Sequence, residues 1–347
     1  MDFRFTAEQQ ELREQARAFL DRRVPTADLA RTVDSGDGWD VSSWGEIASL
    51  GWLGVSVEEA DGGAGLSFLE EAILLEEFGR HLYPGPYLAT IGMALPAVPG
   101  AQLGALVSGR MRWSTCMSDD AGLVANLQAV DRVVLEAGAE LLVVEATGSP
   151  ATSIDPSRRM GRLAPTVDRE VLATGASARS LASAMRTRRL AALAAEAVGV
   201  AQQMLEWGLE HVREREQFGR KIGSYQAVSH PLVDSYVGIE LARSLTYWAA
   251  WCISHDAVDR QRAAIAAYSA ASEAAVFTCE RVIQVHGGMG FIWESPLHRY
   301  YKRALWIQNF GGPARLHRAW LARDLIAGAA QTALETATPS DEGGSTP

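Results

Sequence analysis

Part-way along, this sequence changes texture. Short β-prone runs at residues 130–135, 140–144 and 167–172 are punctuated by Gly138, Gly148, Pro150, Asp155-Pro156 and Pro165. Long stretches of helical pattern flank them on both sides. The runs predict a small antiparallel β domain, short for a barrel that must hold a large cofactor alone. The flanks predict helices before it and a bundle of long antiparallel helices after it. Four segments follow: a helical N-terminal domain over 1–109, a shortened β domain over 110–178, a helical bundle over 179–335 and a disordered tail over 336–347.

The helical signals are local and specific. Thr6-x-x-Gln9 and Ser67-x-x-Glu70 have the form of capping boxes. Leu12, Ala16, Phe19 and Leu20 follow the first at helical spacing. Past the β region, helices are expected through Leu190–His211, over 229–255, 259–286, 296–307 and 314–332. The run Gly287-Gly288-Met289-Gly290 breaks the third of these. Thr338 to Pro347 has the composition of a disordered tail.

Composition bounds the function. Hydrophobic residues make up 48% of the 347, enough for a real core. The net charge of −10 comes from the first hundred residues, with 7 basic and 17 acidic side chains. An acidic first third and a neutral remainder make no nucleic-acid footprint. No apolar run is long enough to span a membrane and no secretory signal opens the chain. Three cysteines without CxxC spacing argue against a disulfide framework and against a zinc site, and fit a reducing, cytoplasmic setting. No GxSxG, HExxH or P-loop occurs.

Two clusters carry chemistry. The first runs from Arg213 to Gln226. It reads either as a charged helix end closed by Gly219, or as a site where Arg215 meets a phosphate through its forked donors and Phe218 covers a flat ring. The second, Gln284-Val-His286-Gly287-Gly288-Met289-Gly290-Phe291, reads either as a tight interhelical loop or as a place where backbone approaches a pyrophosphate closely. Trp44, Trp52, Trp113 and Trp207 read as core or interface, and His230 before Pro231 as a helix-start residue.

In order and spacing, these clusters resemble those of the acyl-CoA dehydrogenase family. Phe3-x-x-Thr6-x-Glu8-Gln9-x-x-Leu12-Arg13, Leu50-Gly51-Trp52-Leu53-Gly54 and Gly62-Gly63-x-Gly65-Leu66-Ser67 resemble its N-terminal segments. Arg215-x-Gln217-Phe218-Gly219-x-x-Ile222-x-x-Tyr225-Gln226 and Gln284-x-x-Gly287-Gly288-x-Gly290-Phe291-x-x-Glu294-x-Pro296 resemble its C-terminal motifs. The resemblance implies a mainly α fold with a reduced β-barrel and a C-terminal four-helix bundle. It also implies FAD, with the ADP half on Arg215, Gln217, Phe218, Gln226, Gln284, Gly287 and Gly288.

The departures from the family pattern are as informative. Some of its members place the catalytic base on the first bundle helix, and most carry it in a Glu-Gly-Thr motif. An ungapped overlay from Gly287 puts Phe310-Gly311-Gly312-Pro313 there, with Gly311 at the glutamate position. The alternative base position on the first bundle helix falls at about Arg189, with Leu190 beside it. The flavin-ring stretch of the β domain is replaced by Cys116-Met-Ser-Asp-Asp-Ala-Gly-Leu123. No catalytic residue and no metal ligand is therefore assigned to this chain. The combination resembles the short, truncated-barrel subunit of the α2β2 acyl-CoA dehydrogenases of actinobacterial sterol side-chain degradation. That likeness implies a full-length partner subunit holding the flavin ring and base, an acyl-CoA substrate and an electron-transfer flavoprotein. Two other readings remain open: a self-sufficient homomer with a displaced base such as Glu196 or Glu294, and a non-catalytic structural protein.

Overall fold

A computed structural model describes residues 4–165 and 168–337. Helix α1 (Ala7–Arg23) opens on the expected capping box, with Gln9 N–H donating to Thr6 Oγ1 at 3.2 Å and Thr6 N–H to Gln9 Oε1 at 3.0 Å. Short helices α2 (Leu29–Asp34) and α3 (Ser42–Ser49) lead to α4 (Phe68–Arg80), whose own box uses Ser67 and Glu70. Gln9 Nε2 also donates to Glu70 Oε1 at 2.7 Å, so the two boxes clasp each other. Trp52 sits edge-on between Phe19 and Phe78 in the core beneath them. After the Pro84-Gly85-Pro86 break, a fully buried π-helical turn over Leu88–Ala94 leads on to α5 (Gly100–Val107).

The β region forms two sheets from seven short strands among the described residues. They are β1 (Trp113–Cys116), β2 (Leu123–Ala125), β3 (Arg132–Ala137), β4 (Glu140–Glu145), β5 (Gly148–Ala151), β6 (Met160–Leu163) and β7 (Arg169–Thr174). Their order is β1-β3-β4-β7 in one sheet and β2-β6-β5 in the other. The expectation of an antiparallel domain needs one correction. β1 and β3 pair in parallel, Trp113 opposite Arg132, because β2 leaves for the second sheet and the chain returns in its original direction. Cys116, Val124, Leu127, Val133, Leu142 and Val144 pack together as a small core of their own. Gly138, at φ 63°, makes the two-residue turn between β3 and β4.

β7 runs straight into α6 (Gly175–Glu214), 40 residues and about 60 Å long, so the first bundle helix begins a little before residue 179. The bundle continues through α7 (Gln226–Ser254), α8 (Arg260–His286) and α9 (Leu297–Phe310), with α10 (Ala314–Ala337) packed on α8. The last helix overruns the expected start of the tail by two residues, and 338–347 lie outside the described residues. Rows of buried alanines on α6 and α8 let these two helices come close. α4 and α6 also cross closely. A Cβ on Gly199 would lie 1.9 Å from the Glu76 carbonyl oxygen, and one on Gly79 would lie 2.3 Å from that of Glu196. The fold is mainly helical with a small sheet region, as the sequence predicts, and no helix among the described residues is long and apolar enough to cross a membrane.

Candidate functional site

α6 ends at Arg215, whose backbone is extended. The chain then makes a small hairpin, β8 (Glu216–Gln217) and β9 (Arg220–Lys221), with Gln217 opposite Arg220. Phe218 and Gly219 form its turn, and both are left-handed, at φ 54° and 78°. That conformation suits glycine and is strained for phenylalanine, which here holds its ring 92% exposed. Tyr225 Oη lies 3.1 Å from the Gln217 carbonyl, and the Arg220 guanidinium covers the Tyr225 ring at 4.0 Å. Glu216 is drawn to Lys221 at 2.8 Å, and no carboxylate among the described residues pairs with the Arg215 guanidinium.

The end of α8 faces this hairpin. Gly287 departs from the helix at φ 59°, ψ −136°, a conformation reserved for glycine, and begins a tight turn over Gly287–Gly290. The two segments enclose one pocket of about 950 Å³. Arg215, Gln217, Phe218, Gln284, Gly287 and Gly288 all line it, together with Ile222, Tyr225, His211 and His286. Gln226, the seventh expected residue, is the exposed first residue of α7 and stands beside the pocket rather than on its wall. A Cβ on Gly287 or Gly288 would meet no protein atom within 4 Å, so the backbone there is bare towards a ligand. A forked cation, two amides, bare glycine backbone and an exposed aromatic ring fit a dinucleotide that carries a diphosphate.

The position expected for a base is built in the opposite way. Gly311 ends α9 with an ordinary φ of −78°, so glycine is not needed there for conformation. It is needed for room: a Cβ would fall 2.5 Å from Cε2 and Cζ of Tyr268. The Tyr268 hydroxyl lies 2.9 Å from the carbonyl oxygens of Ile307, Gln308 and Gly312, which fix the ring in place. Burial pushes its pKa far up, so it stays protonated and donating.

Arg189, at the alternative base position, is buried and doubly paired. Its Nη1 donates to Asp120 and its Nη2 to Asp119, each at 2.7 Å, with the Phe310 ring 5.7 Å from the guanidinium. Burial raises the Asp120 pKa against the pull of Arg189. For Asp119 burial works the same way, but Arg189, a backbone N–H and Arg186 together outweigh it and the pKa falls. These two aspartates belong to the stretch Cys116–Leu123. Burial also pushes the Cys116 thiol up to about 11, and all three cysteines are free and buried.

Of the two displaced-base candidates, Glu196 is 1% exposed and accepts from Arg158 and from Arg303, the latter at 3.5 Å. Arg303 also donates to Asp155 and, at 2.8 Å, to Ser157 Oγ. Burial, and then the neighbouring Arg303, lower the Arg158 pKa to about 10. This closed cluster ties the loop before β6 to α6 and α9. Glu294 is exposed and lines a separate pocket with Trp207, His211 and His286. Trp44, Trp52 and Trp113 are core residues, and His230 lies in the exposed first turns of α7. No group of three or more His, Cys, Asp or Glu among the described residues is placed to hold a metal ion.

Comparison with known proteins gives concordant matches. The family model described as acyl-CoA dehydrogenase, N-terminal domain, matches residues 6–104, and that described as acyl-CoA dehydrogenase, C-terminal domain, matches residues 179–326. The chain is 32% identical over 304 residues to acyl-CoA dehydrogenase IpdE2 of Mycobacterium tuberculosis, covering 86% of this chain and 91% of that protein. A variant of the Tcur3481-Tcur3483 steroid ACAD superposes with a TM-score of 0.84 at 28% identity, covering 93% of this chain and 99% of the other. The ChsE4-ChsE5 complex from Mycobacterium tuberculosis shares the fold, with a TM-score of 0.84 at 22% identity over 98% of this chain and 100% of the other.

Proposed function

The chain belongs to the acyl-CoA dehydrogenase family, and we propose that it acts there as the short subunit of a heteromer, lending the ADP-half contacts for an FAD whose ring and catalytic base reside in a full-length partner. One contrast carries this reading. The chain keeps an open pocket with diphosphate-type donors around Arg215, while the place of its own base is packed shut by Tyr268 against Gly311.

In this reading Arg215 offsets the diphosphate charge with forked, charge-assisted hydrogen bonds. The side-chain amides of Gln217 and Gln284 fix its orientation. Gly287 and Gly288 let backbone approach it, and Phe218 covers a flat ring of the ligand or of the partner. When bound, FAD supplies the two-electron acceptor for α,β-dehydrogenation of an acyl-CoA thioester to the 2-enoyl-CoA. In this reading the chain removes no proton: Gly311 has no acceptor, Arg189 is a cation, Glu196 is enclosed by two arginines, and Glu294 is exposed in a separate pocket. Electrons leave through an electron-transfer flavoprotein. The substrate class we favour is a steroid-derived acyl-CoA, after the 28% identical steroid ACAD, and the setting is the cytoplasm.

The test is purification of the chain alone and together with a full-length family member encoded beside it. The proposal expects yellow flavin absorbance only in the joint preparation. Colour in the lone chain favours a self-sufficient homomer, and no colour in either favours a structural protein.

A further inference from the structure

Two histidines share the dinucleotide pocket with Arg215. His211 lies one helical turn before Arg215 on α6, and His286 is the last residue of α8, directly before Gly287. Their rings are stacked, with centroids 4.1 Å apart and planes inclined by 22°. The pair also walls a second pocket of about 450 Å³ that Glu210, Glu214 and Glu294 line. It therefore stands between an acidic pocket and the diphosphate donors.

We propose that the His211–His286 stack is a proton-binding element of the dinucleotide site, taking up one proton from solvent as the diphosphate binds beside Arg215. This rests on the reading of the pocket as the ADP half of an FAD site. The His286 Nδ1 lies 2.7 Å from the Val282 carbonyl oxygen. A carbonyl only accepts, so Nδ1 carries a hydrogen, and Nε2 is the ring nitrogen able to accept. Burial, then His286 and Arg215, lower the His211 pKa from its ordinary value, with Glu214 opposing.

The charged groups facing the pair are few. α6 contributes Arg215, Glu210 and Glu214, and the loop after α8 contributes Glu294. The hairpin presents Gln217 and Phe218, Tyr225 stands just before α7, and α7 presents Ala227 and Val228. Among the described residues, Arg215 is thus the only full cation lining either pocket. A bound diphosphate more than offsets it and favours the charged imidazole. Stacking keeps the uptake to a single proton, because two imidazolium rings 4.1 Å apart repel.

The experiment uses flavin-stripped complex of this chain with its full-length partner, and FAD as the probe. FAD affinity is followed from pH 6 to pH 8 by flavin fluorescence. Calorimetry is run near pH 7 in buffers of different ionisation enthalpy. The proposal expects FAD to bind about tenfold more weakly at pH 8 than at pH 6, and up to one proton to be taken up per FAD. His211→Gln and His286→Gln each flatten the profile and abolish the buffer dependence. The buffer comparison needs no variant, so misfolding of either one leaves the test intact. A flat profile with no proton uptake, while Arg215→Ala still weakens FAD binding, overturns the proposal and leaves the reading of the pocket standing. If Arg215→Ala has no effect either, both fall.

Discussion

The Tyr268 ring fills the space that a side chain on Gly311 would need, with its Cε2 and Cζ 2.5 Å from where that Cβ would stand. Its hydroxyl, with one hydrogen to share, lies 2.9 Å from backbone carbonyls on either side of that glycine, at Ile307, Gln308 and Gly312. His317 Nε2 donates to the Gly311 carbonyl at 2.7 Å and completes the closure. The joint between α9 and α10 is thus built around the absence of a side chain.

Gly311→Ala should therefore destabilise the chain by overpacking, by about 1–3 kcal/mol, and Gly311→Glu by more. Neither should create turnover, because the new group would be driven against the Tyr268 ring. Thermal unfolding of the two variants checks the first part and an acyl-CoA oxidation assay the second. In a double-mutant cycle, Tyr268→Ala combined with Gly311→Ala should cost less than the two separate losses added together.

Arg215→Ala should weaken FAD retention by the joint complex about 10- to 100-fold. A charge-assisted bond of this kind contributes roughly 1.5–3 kcal/mol, and about 1.4 kcal/mol is tenfold in affinity. Equilibrium binding of FAD to stripped complex measures it. Unchanged affinity would remove Arg215 from the site.

Glu196 and Glu294 should part company. Glu196→Gln leaves Arg158 and Arg303 short of a carboxylate in a fully buried cluster, and breaking such a cluster costs about 3–5 kcal/mol. Glu294→Gln, on the surface, should leave the melting temperature unchanged. Turnover per assembled complex should stay within a few-fold in both. A lost general base typically costs about 10²–10⁴ in rate, so steady-state oxidation with an artificial electron acceptor distinguishes the cases.

The crossing of α4 and α6 gives a stability test remote from any ligand. Gly199→Ala places a methyl group 1.9 Å from the Glu76 carbonyl, which only separation of the two helices can relieve. The expected loss is about 3 kcal/mol, the upper end of ordinary overpacking, read by denaturant unfolding. Gly100→Ala is the control: it lies at the start of α5, and its Cβ would meet nothing within 4 Å.

What could be read from the sequence was local. The Thr6 and Ser67 boxes, the residues around Arg215 and the Gly287-Gly288 turn each lie within a few positions of chain, where spacing alone fixes geometry. What could not be read depends on partners far apart. Arg189 meets Asp119 and Asp120, Tyr268 meets Gly311, and Gly79 meets the backbone of Glu196, and no periodicity links those positions. The parallel pairing of β1 with β3 was hidden for the same reason, since each run looks like any hairpin strand. Phe218 in a left-handed turn left one usable trace, a bulky residue directly before Gly219. His211 and His286 left none, because stacking across two helices has no signature along either.

The central claim is that this chain completes one flavin site in its partner and holds none of its own, and flavin counting tests it most directly. The complex is purified to constant composition, and its FAD is released and measured against the amount of each subunit. The account predicts one FAD per pair of subunits. Two FAD per pair would contradict it, because a second site would then need the space beside Gly311 that the Tyr268 ring fills.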